Sequence, residues 1–303
     1  MRIATTQFHL TMSSALQTSQ ARLEHVMEQM NSGKRFLLPS DDPIANVRLS
    51  RMTREEAALD QYLDNIATLS TRLTQNETAL DSTVLDMQQA RELMVWASDG
   101  TNSSGDVNAM AGSLASLRDS LFFSANSKDQ EGRYLFSGTA TATPAISFNA
   151  AGAPGARYTF TGNTGTQQVA VGNGITQAAN VSLPEMQAML NWLDTTVTTL
   201  QAPGVDVNNP ATRAVLTTTL DGLDTTLASV SSQIAALGGA QNILATLESS
   251  HGNVSVSNKQ AMITLGQLDY GDAATQLAGY TTALEATQKA YGRISGLSLF
   301  DVL

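Results

Sequence analysis

A seven-residue apolar repeat constrains this sequence more than any other feature. Between Met52 and Met94 every seventh residue is apolar: Met52, Leu59, Ile66, Leu73, Leu80, Met87 and Met94. Such spacing specifies a long amphipathic helix that packs along a seam. The interleaved positions hold Leu63 and Val84 but also Glu56, Glu77 and Arg91, so one seam is strong and the other patchy. Asp42-Pro43 reads as an N-cap followed by proline at the first helical position. The turn-forming run SDGTNSSG, residues 98–105, reads as the stop.

Similar stripes recur. A second helix is predicted on Val107, Met110, Leu114, Leu117 and Leu121, and another on Met186, Leu190, Leu193, Val197 and Leu200 after Pro184. A longer stripe comprises Leu216, Leu220, Leu223, Leu227, Val230, Ile234, Leu237 and Leu244. Near the C-terminus Ile263, Tyr270, Leu277, Leu284 and Tyr291 fall at strict sevens, with Tyr280 and Ile294 between them. Met12, Leu16, Leu23, Val26 and Met30 keep the same frame near the N-terminus, with Ser19 at one seam position. A continuous helix over 44–98 would run about 80 Å at ~1.5 Å per residue. A compact globule of this chain length has a diameter of only about 50 Å. The spacing therefore predicts a rod rather than a ball.

One stretch breaks the helical period. Residues 137–183 are rich in Gly, Thr, Asn and Ala. Tyr158 and Phe160 alternate with polar residues, TGNTGTQ follows, and Val169 and Val171 alternate again, which predicts a β-hairpin between these two runs. Ile146 and Phe148 suggest a further short strand. The expected fold is mainly α: an elongated helical bundle or coiled coil formed by the N- and C-terminal halves, with a small inserted β-rich domain. Its expected parts are residues 1–42 with 262–303 as a terminal coiled-coil region, 43–136 with 184–261 as a helical bundle, and 137–183 as the β-rich outer insertion.

Composition narrows the function. Seventeen Lys+Arg against 27 Asp+Glu leave a net charge of −10, which disfavours duplex nucleic acid or an anionic membrane as partner. Charged residues make up only 15% while hydrophobic residues reach 42%; a soluble domain carries about 25% charged residues. From Thr264 onward the faces away from the seam are Ala, Thr, Gly, Ser and Gln. Such faces suit a helix packed on several sides, so both ends are expected to pack against copies of themselves or of a related subunit. Cysteine is absent, which removes disulfides, thiolate metal sites and cysteine nucleophiles. No apolar run is long enough for a cleaved secretory signal or a membrane span.

Catalytic and metal chemistry finds no purchase. His9 and His25 lie sixteen residues apart on the N-terminal amphipathic segment and His251 far from both, with no cysteine to join them, so packing or surface roles are expected. Gly172-Asn173-Gly174 lacks the rest of a nucleotide-binding fingerprint and reads as a hairpin turn. Asp206-Val207-Asn208 lacks the later Gly and Glu of a calcium loop and reads as a helix connection. No G-x-S-x-G elbow occurs. Lys34-Arg35 is too small a basic patch for nucleic acid and suits a contact to an acidic neighbour. No enzyme, cofactor or metal is expected.

Three ordered motifs carry a resemblance. Ser32-Gly33-Lys34-Arg35 followed by Pro39-Ser40-Asp41-Asp42-Pro43-Ile44-Ala45 resembles the SGKR…PSDDPxA signature of the flagellin superfamily. Gly132-Arg133-Tyr134-Leu135-Phe136-Ser137-Gly138-Thr139 is similar to the G-x-Y-x-F-x-G strand that opens the family's variable region. The stretch from Leu268 to Leu303 resembles its C-terminus. The MRI start, the PSDDP form and the ending Leu297-Ser298-Leu299-Phe300-Asp301-Val302-Leu303 look more like the family's hook–filament junction branch than filament flagellin. One departure stands at Leu237-Gly238-Gly239-Ala240-Gln241-Asn242, read as a turn, where many relatives show LGARxN with an arginine.

The resemblance implies a structural, polymerising subunit of the bacterial flagellum. It would be exported without a cleaved signal through the flagellar type III apparatus and end up extracellular. The partners it implies are neighbouring copies in a ring, the preceding hook-associated protein, flagellin, and an export chaperone on the C-terminal region. Alternatives are a filament flagellin or a cytoplasmic coiled-coil interaction module. Combining the stripes with the resemblance, the expected assembly contacts are Met12, Leu16, Leu23, Val26 and Met30 with Leu277, Tyr280, Leu284, Tyr291 and Ile294.

Overall fold

The structure, a computed structural model, describes the backbone of residues 2–295 and the side chains of residues 6–293. The element order is α1 (Arg2–Ser32), α2 (Pro43–Ala97), α3 (Ser104–Ala125), β1 (Ile146–Phe148), β2 (Tyr158–Phe160), β3 (Gln168–Gly172), β4 (Ile175–Ala178), α4 (Glu185–Leu200), α5 (Pro210–Gly266) and α6 (Tyr270–Ser295). The fold is mainly α with two small antiparallel sheets, as the heptad spacing and the Gly/Thr-rich interruption predict.

Local chemistry sets the helix starts. Asp42 accepts from the Ala45 amide at 2.9 Å, with Pro43 as the first residue of α2. Asn209 does the same for Ala211 at 2.9 Å ahead of Pro210 and α5. An N-cap oxygen with proline behind it satisfies one orphan amide and removes another. Before α3, Ser103 and Asp106 form a reciprocal capping box.

The chain divides into two compact units, residues 1–58 with 253–303 and residues 59–252; α2 and α5 contribute segments to both. The larger unit contains the main core. On α2, Ile66, Leu73, Leu80, Met87 and Met94 are fully buried, as the repeat predicts. The second seam, however, lies three residues further on rather than four. Leu69, Asn76, Thr83, Ala90 and Ala97 are buried, whereas Leu63, Glu77 and Val84 are half-buried and Arg91 is exposed. α5 repeats the pattern: Leu216, Leu223, Val230, Leu237 and Leu244 are buried together with Thr212, Thr219, Thr226 and Ala240, while Leu220, Leu227 and Ile234 are half-buried. Small residues in the second seam let helices approach closely. The threonine hydroxyls of Thr83 and Thr226 bond carbonyls four residues back at 2.9 and 2.8 Å, so they bury no unpaired donor. Arg91 pairs with Asp224 at 2.5 Å and Gln241 donates to Glu77 at 2.8 Å, fixing α2 against α5.

The stretch 237–242 is helix interior, not a turn. Ala240, at the position of the family's arginine, is 6% exposed and packs in the core.

The insertion pairs differently from the expected hairpin. Tyr158 and Phe160 do not pair with Val169 and Val171. β2 pairs with β1, in register Ile146↔Phe160 and Phe148↔Tyr158, and β3 pairs with β4 through the Asn173-Gly174 turn. Gly174 has φ 72°, which that tight turn requires. The GRYLFSG segment is not a regular strand. It makes isolated bridges from Tyr134 to Lys128 and from Ser137 to Ser182, because Gly132 and Gly138 at φ 79° and 69° bend the chain at both ends. Its Phe136 is a buried anchor.

Two-stranded sheets are marginal alone, and amide side chains complete these. Asn191 of α4 brackets Tyr158, accepting from its N–H at 3.0 Å and donating to its carbonyl at 2.8 Å, and Gln187 accepts from Phe160 at 2.7 Å. Asn126 brackets Ile146 in the same way, at 3.0 and 2.9 Å. The β3–β4 hairpin is held by Asn65, which donates to the Ala170 carbonyl, and by His251 Nε2, which bonds the Val171 carbonyl, both at 2.8 Å.

Candidate assembly interface

The smaller unit carries the residues expected to mediate assembly. α1 and α6 pack antiparallel along their lengths: His9 Nδ1 meets the Tyr291 hydroxyl at 3.1 Å, and the Tyr270 hydroxyl donates to the Met30 carbonyl at 3.3 Å. Met12, Leu16, Leu23 and Met30 on α1, and Leu277, Tyr280, Leu284 and Tyr291 on α6, are all half-buried; Val26 is 4% exposed. The side chains of Ile294 and of the MRI start, and the Leu297–Leu303 ending, lie outside the described residues.

The C-terminal heptad spans a break that the spacing hides. Ile263 belongs to α5 and Tyr270 opens α6, and both are half-exposed. Between them Gln267 bridges Lys34, Leu268 donates to the Gly33 carbonyl at 3.0 Å, and Arg35 donates to the Gly266 carbonyl at 2.8 Å. Asp269 then caps α6, accepting from Gly271 at 2.8 Å. Gly33, at φ 68°, supplies the left-handed residue that turns the chain out of α1.

The SGKR…PSDDP segment is a self-bonded loop. Asp41 accepts from the amides of Leu37 and Leu38, each at 2.9 Å, and the Leu38 and then the Leu37 amide hold its carboxyl below the usual aspartate range. Arg35 approaches Asp42 at 3.8 Å, the acidic contact expected for the Lys34-Arg35 pair. Nearby Glu56, 7% exposed, accepts from the Ser255 hydroxyl and pairs with Lys259 at 2.9 Å.

Burial in this unit is thin. Its buried apolar residues among those described are Val26, Phe36, Ala45 and Ala273. Meanwhile Leu10, Met27, Leu38, Ile44, Val47, Val254 and Val256 are 45–70% exposed. Apart from Val256, seven residues before Ile263, these residues fall off the heptad seams, so periodicity alone passes over them; the signal is an apolar side chain at an off-seam position. A groove of about 810 Å³ runs between the 33–37 loop, the start of α2 and the end of α5.

Among the described residues no cluster of three or more His, Cys, Asp or Glu side chains is gathered for a metal. No described helix is long and apolar enough to cross a membrane.

Residues 3–141 match the bacterial flagellin N-terminal helical region. The chain is 30% identical over 321 aligned positions to flagellar hook-associated protein 3 of Salmonella typhimurium, covering 100% of this chain and 99% of that protein. A solved flagellar hook-associated protein of Vibrio parahaemolyticus superposes with TM-score 0.66 at 31% identity, covering 74% of this chain and 99% of the other. Hook-associated protein 3 of Legionella pneumophila, at 15% identity and TM-score 0.62 over 71% of this chain and 98% of its own, shares the fold. The chain belongs to the flagellar hook-associated protein 3 family.

Proposed function

We propose that this chain is a structural subunit of the junction between the flagellar hook and filament. The observation that carries the reading is the full-length match to hook-associated protein 3, with its relatives' length covered almost end to end. The terminal unit supports it. Among its described residues that unit buries four apolar side chains and leaves many more exposed, as befits a surface finished by neighbouring subunits. On this reading residues 1–42 with 262–303 form the assembly region and copies associate as a ring. The α1 and α6 residues Met12, Leu16, Leu23, Val26, Met30, Leu277, Tyr280, Leu284, Tyr291 and Ile294 take part in packing between copies as well as within the chain. Neighbours in the flagellum are the preceding hook-associated protein and flagellin; before assembly an export chaperone holds the C-terminal region and the type III apparatus carries the chain out. The role is mechanical, not enzymatic.

A deletion strain tests the reading. Hooks should persist, filaments should be missing and flagellin should accumulate in the medium. Normal filaments would refute it. A purified chain that grew into long tubes would instead be a filament flagellin.

A further inference from the structure

We propose that the apolar groove of the terminal unit receives residues 297–303 of a second copy of this chain. The groove is built from Phe36 and Leu37 of the loop, Leu49 of α2, and Met262 and Ile263 of α5. Phe36 is 8% exposed at its floor and Ile263 is 50% exposed at its edge. Its two charged lining residues are both cationic, Lys34 and Lys259, on a chain whose net charge is −10. Lys259 is engaged with Glu56 at 2.9 Å, while the Lys34 side chain faces solvent.

Residues 297–303, LSLFDVL, have the complementary chemistry: Leu297, Leu299, Phe300, Val302 and Leu303 are apolar and Asp301 supplies one negative charge. A short apolar stretch with one acid suits an apolar groove with a lysine at its rim.

Reach decides which copy supplies the segment. The groove lies where α6 begins, since Gly266 and Gln267 line it. α6 then runs 26 residues away from it beside α1, about 38 Å at ~1.5 Å per residue. The eight residues after Ser295 span at most about 28 Å even when fully extended, at ~3.5 Å each. The chain's own segment falls short of its own groove, so its occupant has to come from another copy. The inference rests on the self-association proposed above and names one contact within it.

The test titrates a fluorescent peptide of sequence SGLSLFDVL, residues 295–303, into the dilute full-length protein and follows anisotropy. Saturable binding is expected. Ile263→Asp should weaken it at least tenfold and Lys34→Glu about tenfold. The second loss should be regained with a peptide carrying Asp301→Lys. Lys34 is exposed, so its reversal keeps the test open if Ile263→Asp disturbs folding. No saturable binding, equal binding of a scrambled peptide, or insensitivity to both substitutions overturns the inference. The peptide assay is independent of the strain phenotype. A junction phenotype without peptide binding removes the groove contact alone; peptide binding in a protein whose deletion leaves normal filaments keeps the contact and removes the junction role.

Discussion

Arg118 of α3 places Nη1 3.0 Å from Oδ1 of Asp194 on α4, and that carboxylate is fully buried. The same aspartate takes Arg157 at 3.3 Å and the Gly155 amide at 3.1 Å. One carboxylate thus ties two helices to the loop that leads into β2. Removing one partner of a buried pair leaves the other charge uncompensated, at a cost of about 3–5 kcal/mol. Asp194→Ala should lower stability by about that amount in urea unfolding and loosen the insertion to protease. Asp119, more than half exposed, also contacts Arg118 at 2.8 Å, but Asp119→Ala should cost under about 1 kcal/mol because solvent screens that pair.

Two glycines of α5 should respond oppositely to alanine. A Cβ at Gly222 would run into the Trp192 ring, so Gly222→Ala forces the indole aside and should cost about 1–3 kcal/mol. A Cβ at Gly239 meets nothing within 4 Å. Gly239→Ala should raise stability by about 0.5–1 kcal/mol through helix propensity and a less flexible unfolded chain. Thermal unfolding of the two variants checks both signs.

Hydrophobic periodicity makes the strong seam of α2 legible because Ile66 to Met94 are large and apolar at every step. The second seam is not legible, because Asn76, Thr83 and Ala90 look like surface residues. Burial there follows from how close the neighbouring helices come, which no local pattern encodes. The same holds for the insertion. Alternation finds β2 and β3, but the pairing partners depend on Asn126, Asn191 and Gln187 reaching strand backbones from distant helices. The α1 and α6 stripes are legible as seams, whereas the groove depends on a break after Gly266 that an unbroken heptad conceals.

Asn76 shows what the hidden seam costs. It is 1% exposed, and among the described residues neither its amide nitrogen nor its oxygen has a hydrogen-bond partner. An unsatisfied buried polar group costs about 1–3 kcal/mol. Asn76→Leu, with the same branching and number of side-chain heavy atoms, should therefore stabilise the bundle by about 1–2 kcal/mol and raise the melting temperature. A drop in melting temperature would mean that the amide is satisfied in solution or that the bulkier leucine overpacks the seam.

Glu56 gives the terminal unit an acid sensitivity. The Ser255 hydroxyl first, and the Lys259 ammonium after it, hold its carboxyl below the ordinary value of 4.5 despite the opposing effect of burial. With a folded-state value below the unfolded one, the unfolded chain takes up the proton more readily. The stabilisation is complete above the ordinary glutamate range and is lost as pH falls through the lowered folded value. Glu56→Gln should therefore be less stable than the parent near neutrality, with the difference shrinking as pH falls below the ordinary glutamate range. Denaturant midpoints across that range decide it; a constant difference would assign the effect to packing.

Amide exchange in dilute solution addresses the terminal unit most directly. Opening free energies track buried apolar contact, and this unit buries only Val26, Phe36, Ala45 and Ala273 among its described apolar residues. In the larger unit the α2 seam from Ile66 to Met94 is sealed throughout. Amides of α1 and α6 should therefore exchange much faster than those of residues 66–94 when the protein is dilute. They should gain protection at concentrations where copies associate, while residues 66–94 change little. Slow exchange of α1 and α6 at every concentration would mean that the pair is complete within one chain. Half-buried Leu16, Leu23, Leu277 and Leu284 would then have no contact left to make between copies.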